Sequence, residues 1–488
     1  MKKIYGTVVP NSSVRFALII GFGTFVLSLG IYLLLAFPQF ADTKFYGLSL
    51  DATTADLVDG LGFGDGGSYT RLAVDLQHGY ISPGNRWILN LWPPGVPFVL
   101  LVILKLTGGG LPIVPMIVLV GCLWSLALSL LALILLRRRA FISFGLFAVV
   151  WLAGPLLSGW TIHGGVISSD GISAALTTIL VIALYFATQD EFQKFSRRIR
   201  FGYYFAVGLL LGVLSLFRVT WLFATLASLV ALGIYLAVVA LRRWRRHRLA
   251  RDPVGQSLKA ILTRWSAVVV GFAVLAAPWT IVLGTYVHPG NLSWSTGDYQ
   301  LAQTWMTDDY LKKGNAGFLI DGKANWACEL DPTECAKLMQ IETAREHPFD
   351  GTGENSFSDF QRRAILAAVE HPAEFVAQRT DVTVRAWLSV PGEPVGSMRA
   401  VGFGIVTLAF FLFSCGLLIR RFCQGHSEAF FLLMLAGANI GMLWLTHFET
   451  RYMMPLQVIG LVVIVLALST KEREFAHRLV NHRREPRP

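Results

Sequence analysis

The sequence predicts an all-α polytopic membrane protein with about ten to eleven transmembrane helices and an α-rich extracytoplasmic segment between the late helices. Three observations predict it. The 488 residues are 54% hydrophobic with a mean hydropathy of +0.55. Only 15% are charged, against about 25% in ordinary globular domains. The apolar residues also fall in runs long enough to cross a bilayer, which needs about 20 residues as helix.

Charge is segregated along the chain. The formal net charge of +11 in a soluble protein would suggest a nucleic-acid partner, but its distribution here argues against one. Basic residues gather between apolar runs: Arg137 to Arg139; Lys194, Arg197, Arg198 and Arg200; Arg242 to Arg251; Arg420 and Arg421; and Lys471 to Arg487. Of 31 Asp and Glu, six lie in 38–91 and sixteen in 284–399, leaving nine elsewhere. Lys and Arg mark the cytoplasmic ends of membrane helices, so the basic clusters are expected inside and the two acidic segments outside. Basic juxtamembrane residues also suit anionic inner-leaflet lipids.

The expected spans, in order, are 14–37, 92–107, 112–136, 140–159, 170–188, 203–217, 220–241, 265–283, 401–419, 429–446 and 453–470. The first run is too long for a signal-peptide core and has no small-residue cleavage site, so it reads as a retained span with its N-terminus inside. Residues 1–283 form one transmembrane module carrying the outer loop 38–91. Residues 284–400 form an extracytoplasmic segment, 401–470 the C-terminal membrane helices, and 471–488 a basic cytoplasmic tail. Parity raises one difficulty. An odd number of crossings must separate loop 38–91 from the Arg block at 242–251, yet six runs lie between them. The trouble falls on 92–111, which opens Trp92-Pro93-Pro94-Gly95, contains Lys105 and ends Gly108-Gly109-Gly110. It is either re-entrant or fully crossing with one later run misassigned. Within 284–400, apolar spacing from Ser358 to Trp387 predicts two amphipathic helices around the break at His371-Pro372.

Loop 38–91 carries the most informative constellation. Tyr69, Leu72, Ala73 and Leu76 recur at helical spacing, so a helix begins just after Asp65-Gly66-Gly67. Asp65 then stands near a helix N-terminus, with Ser68 as a second cap candidate, in a position that favours anions. Asp-Gly is equally a turn pair, so a turn role and a chemical role are both open. Gly62 to Gly67 is no nucleotide loop: no strand precedes it and no Gly-Lys-Ser follows.

Four further groups are singled out. Arg218 sits between the apolar runs ending at Phe217 and resuming at Trp221; an Arg at that depth is a functional candidate, with snorkelling to the interface as the alternative. Asp170 opens an apolar run after Ser168-Ser169, where capping and chemistry compete. His163, just upstream, is a candidate binding residue, though a lone histidine is commonly structural. Arg451 and Tyr452 precede the last span, where Arg451 binds a phosphate or pairs with Glu449. Cys328 and Cys335 stand in an outer segment where oxidising conditions permit a disulfide, with two free thiols as the alternative. Their spacing does not suit zinc.

Taken together, these motifs resemble the GT-C class of membrane glycosyltransferases, which includes the protein O-mannosyltransferases and the transferase that adds aminoarabinose to lipid A (glycosyltransferase family 39-like). The matching residues are Asp65, Tyr69, Ala73, Leu76, Gly79 and the pair Pro93-Pro94; then Ser169-Asp170-Gly171; then Ala277-Pro278-Trp279; then Arg451-Tyr452 with Pro455. Each is short, and their order along nearly the whole chain carries the resemblance. It implies a sugar donor on a polyprenyl phosphate, presented at the outer face of a bacterial cytoplasmic membrane. The implied acceptor is lipid A or another envelope lipid, a glycan or a protein. It further implies Asp65 as catalytic base or its close partner, Asp170 as a second catalytic acid, and Tyr69, Arg451 and Tyr452 as substrate-binding residues, with inversion at the anomeric carbon; Arg218, chosen for its depth, and His163 join them as substrate-binding candidates. Two positions depart from the family: Gly66 stands where a second acid is common, and Trp92 where some members carry Lys. Without an Asp-x-Asp pair no metal cofactor is expected. The rival classes are a transporter or lipid flippase, which should carry ionisable residues at mid-span, and a catalytically degenerate member of the same class.

Overall fold

A computed structural model describes residues 11–41, 53–55, 65–82, 85, 88–91, 93–108, 113–137, 140, 142–145, 169–189, 192, 194–246, 254–282, 285, 369, 372–388, 398–445 and 453–482. All regular structure among them is helical. The helices are α1 (Asn11–Ala41), α2 (Asp65–Gln77), α3 (Ile88–Leu91), α4 (Gly95–Leu106), α5 (Ile113–Arg137), α6 (Asp170–Ala187), α7 (Arg197–Phe217), α8 (Val219–Arg246), α9 (Val254–Val282), α10 (Pro372–Trp387), α11 (Met398–Cys423), α12 (Ser427–Leu445) and α13 (Met454–His482). Seven of them, α5 to α9, α11 and α13, are long and apolar enough to cross a membrane. The protein is an integral membrane protein.

Helices α6 and α13 occupy the centre. Nearly every side chain of α6 is buried, as is α13 from Met454 to Leu466. A helix apolar on all sides is one surrounded by others, and α6 packs against α5, α7, α12 and α13. Its hydroxyls would be costly in this setting. Thr177 and Thr178 instead donate to the carbonyls of Ser173 and Ala174, one turn back, at 2.7 and 3.0 Å.

The tightest helix pair is α7 with α9, and its cause is glycine. A Cβ placed on Gly208 would lie 2.2 Å from the Val268 carbonyl oxygen, and one on Gly271 would lie 2.3 Å from that of Phe205. Backbones meet here directly, as small residues allow between membrane helices. The pairs Tyr204–Trp265, Gly208–Val268 and Gly212–Phe272 show that the two helices run parallel.

Within the stretch 92–111, ambiguous in sequence, the described helix α4 is too short for a full span. Helix α4 is 12 residues long, a rise of about 18 Å against a hydrocarbon core of roughly 30 Å. Pro94 precedes it and accepts the Phe98 N–H at 2.9 Å, and Gly108, at φ 66°, follows its end. Without α4 as a crossing, five expected runs remain between loop 38–91 and the Arg block, the odd number that the charge pattern requires provided 140–159 crosses. The span expected at 140–159 is described only at 140 and 142–145, and Cys328 and Cys335 lie outside the described residues. Of the two amphipathic helices expected in 284–400, the second is present as α10, anchored by buried Trp387, whose Nε1 donates to Thr407 Oγ1 at 3.2 Å.

Candidate functional site

Helix α2 is the one the loop sequence predicts. Tyr69, Leu72 and Ala73 are buried and Leu76 is half-buried, so its apolar face lies against the protein and packs on α4. Asp65 is its first residue; its side chain lies outside the described set. The helix ends in a Schellman motif: Tyr80 N–H donates to Asp75 O (3.3 Å) and Gly79 N–H to Leu76 O (3.2 Å), with Gly79 at φ 81°. Asp75, which the sequence does not single out, then pins the following loop. Its Oδ2 accepts from Ser82 N–H (2.8 Å), Ser82 Oγ (2.7 Å) and Asn85 Nδ2 (2.9 Å). The sequence offered only an acidic residue late in an amphipathic helix, a pattern shared by solvated surfaces.

Helix α4 carries this layer to the end of the membrane bundle. A Cβ on Gly95 would meet the Leu216 carbonyl oxygen at 2.6 Å and the Phe217 ring at 3.0 Å. The start of α4, directly after Pro93-Pro94, therefore sits against the last turn of α7, beside Arg218.

Arg218 is the single extended residue between α7 and α8, at φ −146° and ψ 123°. Its N–H donates to Leu214 O (2.9 Å), and its carbonyl accepts from Trp221 N–H (3.0 Å). Its backbone thus closes one helix and opens the next while the side chain turns inward. The guanidinium forms an ion pair with Asp170, the first residue of α6. Arg218 is 11% exposed and Asp170 3%, so Arg218 does not snorkel to water. Nor does capping account for the Ser169-Asp170 start: Ser169 is the N-cap residue, yet its side chain makes no cap hydrogen bond. A buried pair of this kind is costly to break from either side, because removing one partner strands the other charge.

Behind the pair lie polar groups with no hydrogen-bond partner among the described residues: Ser173 Oγ on α6, and Trp221 Nε1 and Thr225 Oγ1 on α8. All three side chains are fully buried. Ser173 is one turn from Asp170, Trp221 one turn from Arg218, and Thr225 one turn beyond Trp221. Such a group costs about 1–3 kcal/mol if left unmatched.

Of the other sequence candidates, Tyr69 is buried in α2. His163, Arg451 and Tyr452 lie outside the described residues, although Met454 opens α13, which packs along α6. Among the described residues no three His, Cys, Asp or Glu side chains gather as a metal-ligand set.

No protein-family model and no curated protein matches this chain. Among solved structures the chain is similar to the crystal structure of ArnT from Cupriavidus metallidurans bound to undecaprenyl phosphate, at 15% identity over 91% of this chain and 78% of that one, with a TM-score of 0.34. This is a distant likeness between helical membrane proteins, too remote to carry residues from one to the other.

Proposed function

We propose that the protein is a GT-C-type glycosyltransferase that moves a sugar from a polyprenyl-phosphate donor to an acceptor at the outer face of a bacterial cytoplasmic membrane. The acceptor is a lipid such as lipid A, a glycan or a protein. One observation carries the reading. Two candidate residues distant in sequence, Asp170 and Arg218, form a buried ion pair at the bundle end against which α4 starts, and α2, the helix opening at Asp65, packs on α4. The ordered motifs of the sequence supply the chemistry for that end.

In this reading Asp65 takes the proton of the acceptor group as that group attacks the anomeric carbon. Such general-base help is worth about 10²–10⁴-fold. The bond from the anomeric carbon to the phosphate oxygen breaks, the sugar inverts, and polyprenyl phosphate leaves. Arg218 stabilises the charge developing on the leaving phosphate. Asp170 orients Arg218. Arg451, Tyr452, His163 and Tyr69 complete substrate binding, and no metal takes part.

The test is sugar transfer from a panel of polyprenyl-phosphate sugars to membrane acceptors by the purified protein and by Asp65→Asn. Transfer that collapses in the variant while thermal stability holds is the expected result. Transfer unaffected by the change removes Asp65 as base. Donor movement across vesicles without transfer replaces the enzyme with a flippase.

A further inference from the structure

The opposite end of α7 holds a second feature, independent of the transferase reading. The first turn of α7 lies beside the early turns of α9, and exposed cations gather there. Lys194, Arg197, Arg198 and Lys259 are all exposed. The seam between them is defined by contacts: Arg197 Nη2 reaches Thr263 Oγ1 at 3.5 Å, and Thr263 Oγ1 donates in turn to Lys259 O, one turn nearer the helix end, at 2.8 Å. Neither helix carries a carboxylate anywhere along its length.

Among the described residues, the acid that packs against this seam comes from α12 and is already engaged. Glu428 is 3% exposed; its Oε1 accepts from Tyr204 and its Oε2 from Ser427 Oγ (3.3 Å), and Arg264 Nη1 lies 3.8 Å from Oε1. It therefore offsets Arg264 inside the bundle and leaves the outer cations uncompensated by either helix. Next to these cations, Phe195, Ile199, Phe201 and Leu262 are exposed apolar side chains on the same helix starts. Positive charge at the helix ends with exposed apolar surface beside it matches an anionic headgroup continuing into an acyl chain. Basic pockets between membrane helices bind such headgroups.

We infer that the seam between the first turn of α7 and the early turns of α9 is a binding site for an anionic phospholipid, with Arg197, Arg198 and Lys259 on its phosphate and Phe201 and Leu262 beside its chain. Lys194 adds to the field, and Arg264 is held back by Glu428.

The full-length protein is titrated with phosphatidylglycerol and with phosphatidylcholine in detergent, and bound lipid is counted by native mass spectrometry alongside thermal unfolding. Phosphatidylglycerol is expected to bind and to raise the unfolding temperature, and phosphatidylcholine is not. Each cation removed is worth about a fivefold loss of affinity, so Arg197→Gln/Arg198→Gln/Lys259→Gln abolishes the preference and Lys259→Gln alone weakens it measurably. The control is Arg420→Gln/Arg421→Gln, which removes basic residues from the end of α11, outside the seam. Equal losses in seam and control variants would overturn the site in favour of general surface charge. Binding of inorganic phosphate that competes fully with the lipid would overturn the lipid assignment.

Discussion

The two ends of α7 handle buried charge in opposite ways. Near its start, Glu428 meets Tyr204, Ser427 and Arg264, and Ser427 accepts in addition from Trp265 Nε1 at 3.1 Å. The Arg264 guanidinium stands 6.0 Å over the Tyr204 ring, and an aromatic shell of Phe192, Tyr203, Trp265 and Phe431 surrounds the cluster. At the other end, Asp170 and Arg218 pair with Ser173, Trp221 and Thr225 nearby, whose polar atoms find no hydrogen-bond partner among the described residues. A satisfied network makes a rigid, specific core. The first end is a clasp joining α7, α9 and α12; the second is the end to which the proposed function assigns the chemistry.

The contrast is most strongly tested at Arg218. Arg218→Gln leaves Asp170 without its counter-ion and is expected to cost about 3–5 kcal/mol of stability and to lower transfer by about 10²–10³-fold. The charge-reversed pair Asp170→Arg/Arg218→Asp separates the two losses. Recovery of thermal stability without recovery of transfer is expected, and recovery of both would reduce the pair to a structural role. Next is the seam that holds both ends in register. Gly208→Leu drives a side chain into the α9 backbone, and overpacking of this kind is expected to cost about 3 kcal/mol, read as a fall in unfolding temperature. At the clasp, Glu428→Gln replaces one charged acceptor and is expected to lose about 1–3 kcal/mol with transfer rates unchanged. A matching collapse of transfer would erase the distinction between the ends. Smallest is Asp75→Asn, which weakens the bonds to Ser82 and Asn85 by about 1 kcal/mol; faster proteolysis within 78–85 is the expected readout.

Much of this was legible in the chain. The membrane helices follow from apolar length, and α2 follows from the spacing of Tyr69, Leu72 and Ala73, because a helix's buried face is written in its own residues. Asp170 and Arg218 were each recognisable as charges at the edge of apolar runs. Their pairing was not, since nothing local says which ends of which helices meet. The Glu428 cluster was missed altogether. An acid at a helix start after a basic turn looks like a solvated cap, and its partner Tyr204 lies 224 positions away.

The sequence by itself therefore determined the class of protein, the order of its helices and the residue types available for chemistry, because hydropathy and periodicity act over one helix at a time. The tertiary structure decided that α4, within 92–111, stops short of a crossing, that Arg218 turns inward to Asp170, and that Glu428 is compensated by Tyr204, Ser427 and Arg264. The first follows from the short length of α4, and the other two depend on close approach between segments distant in sequence.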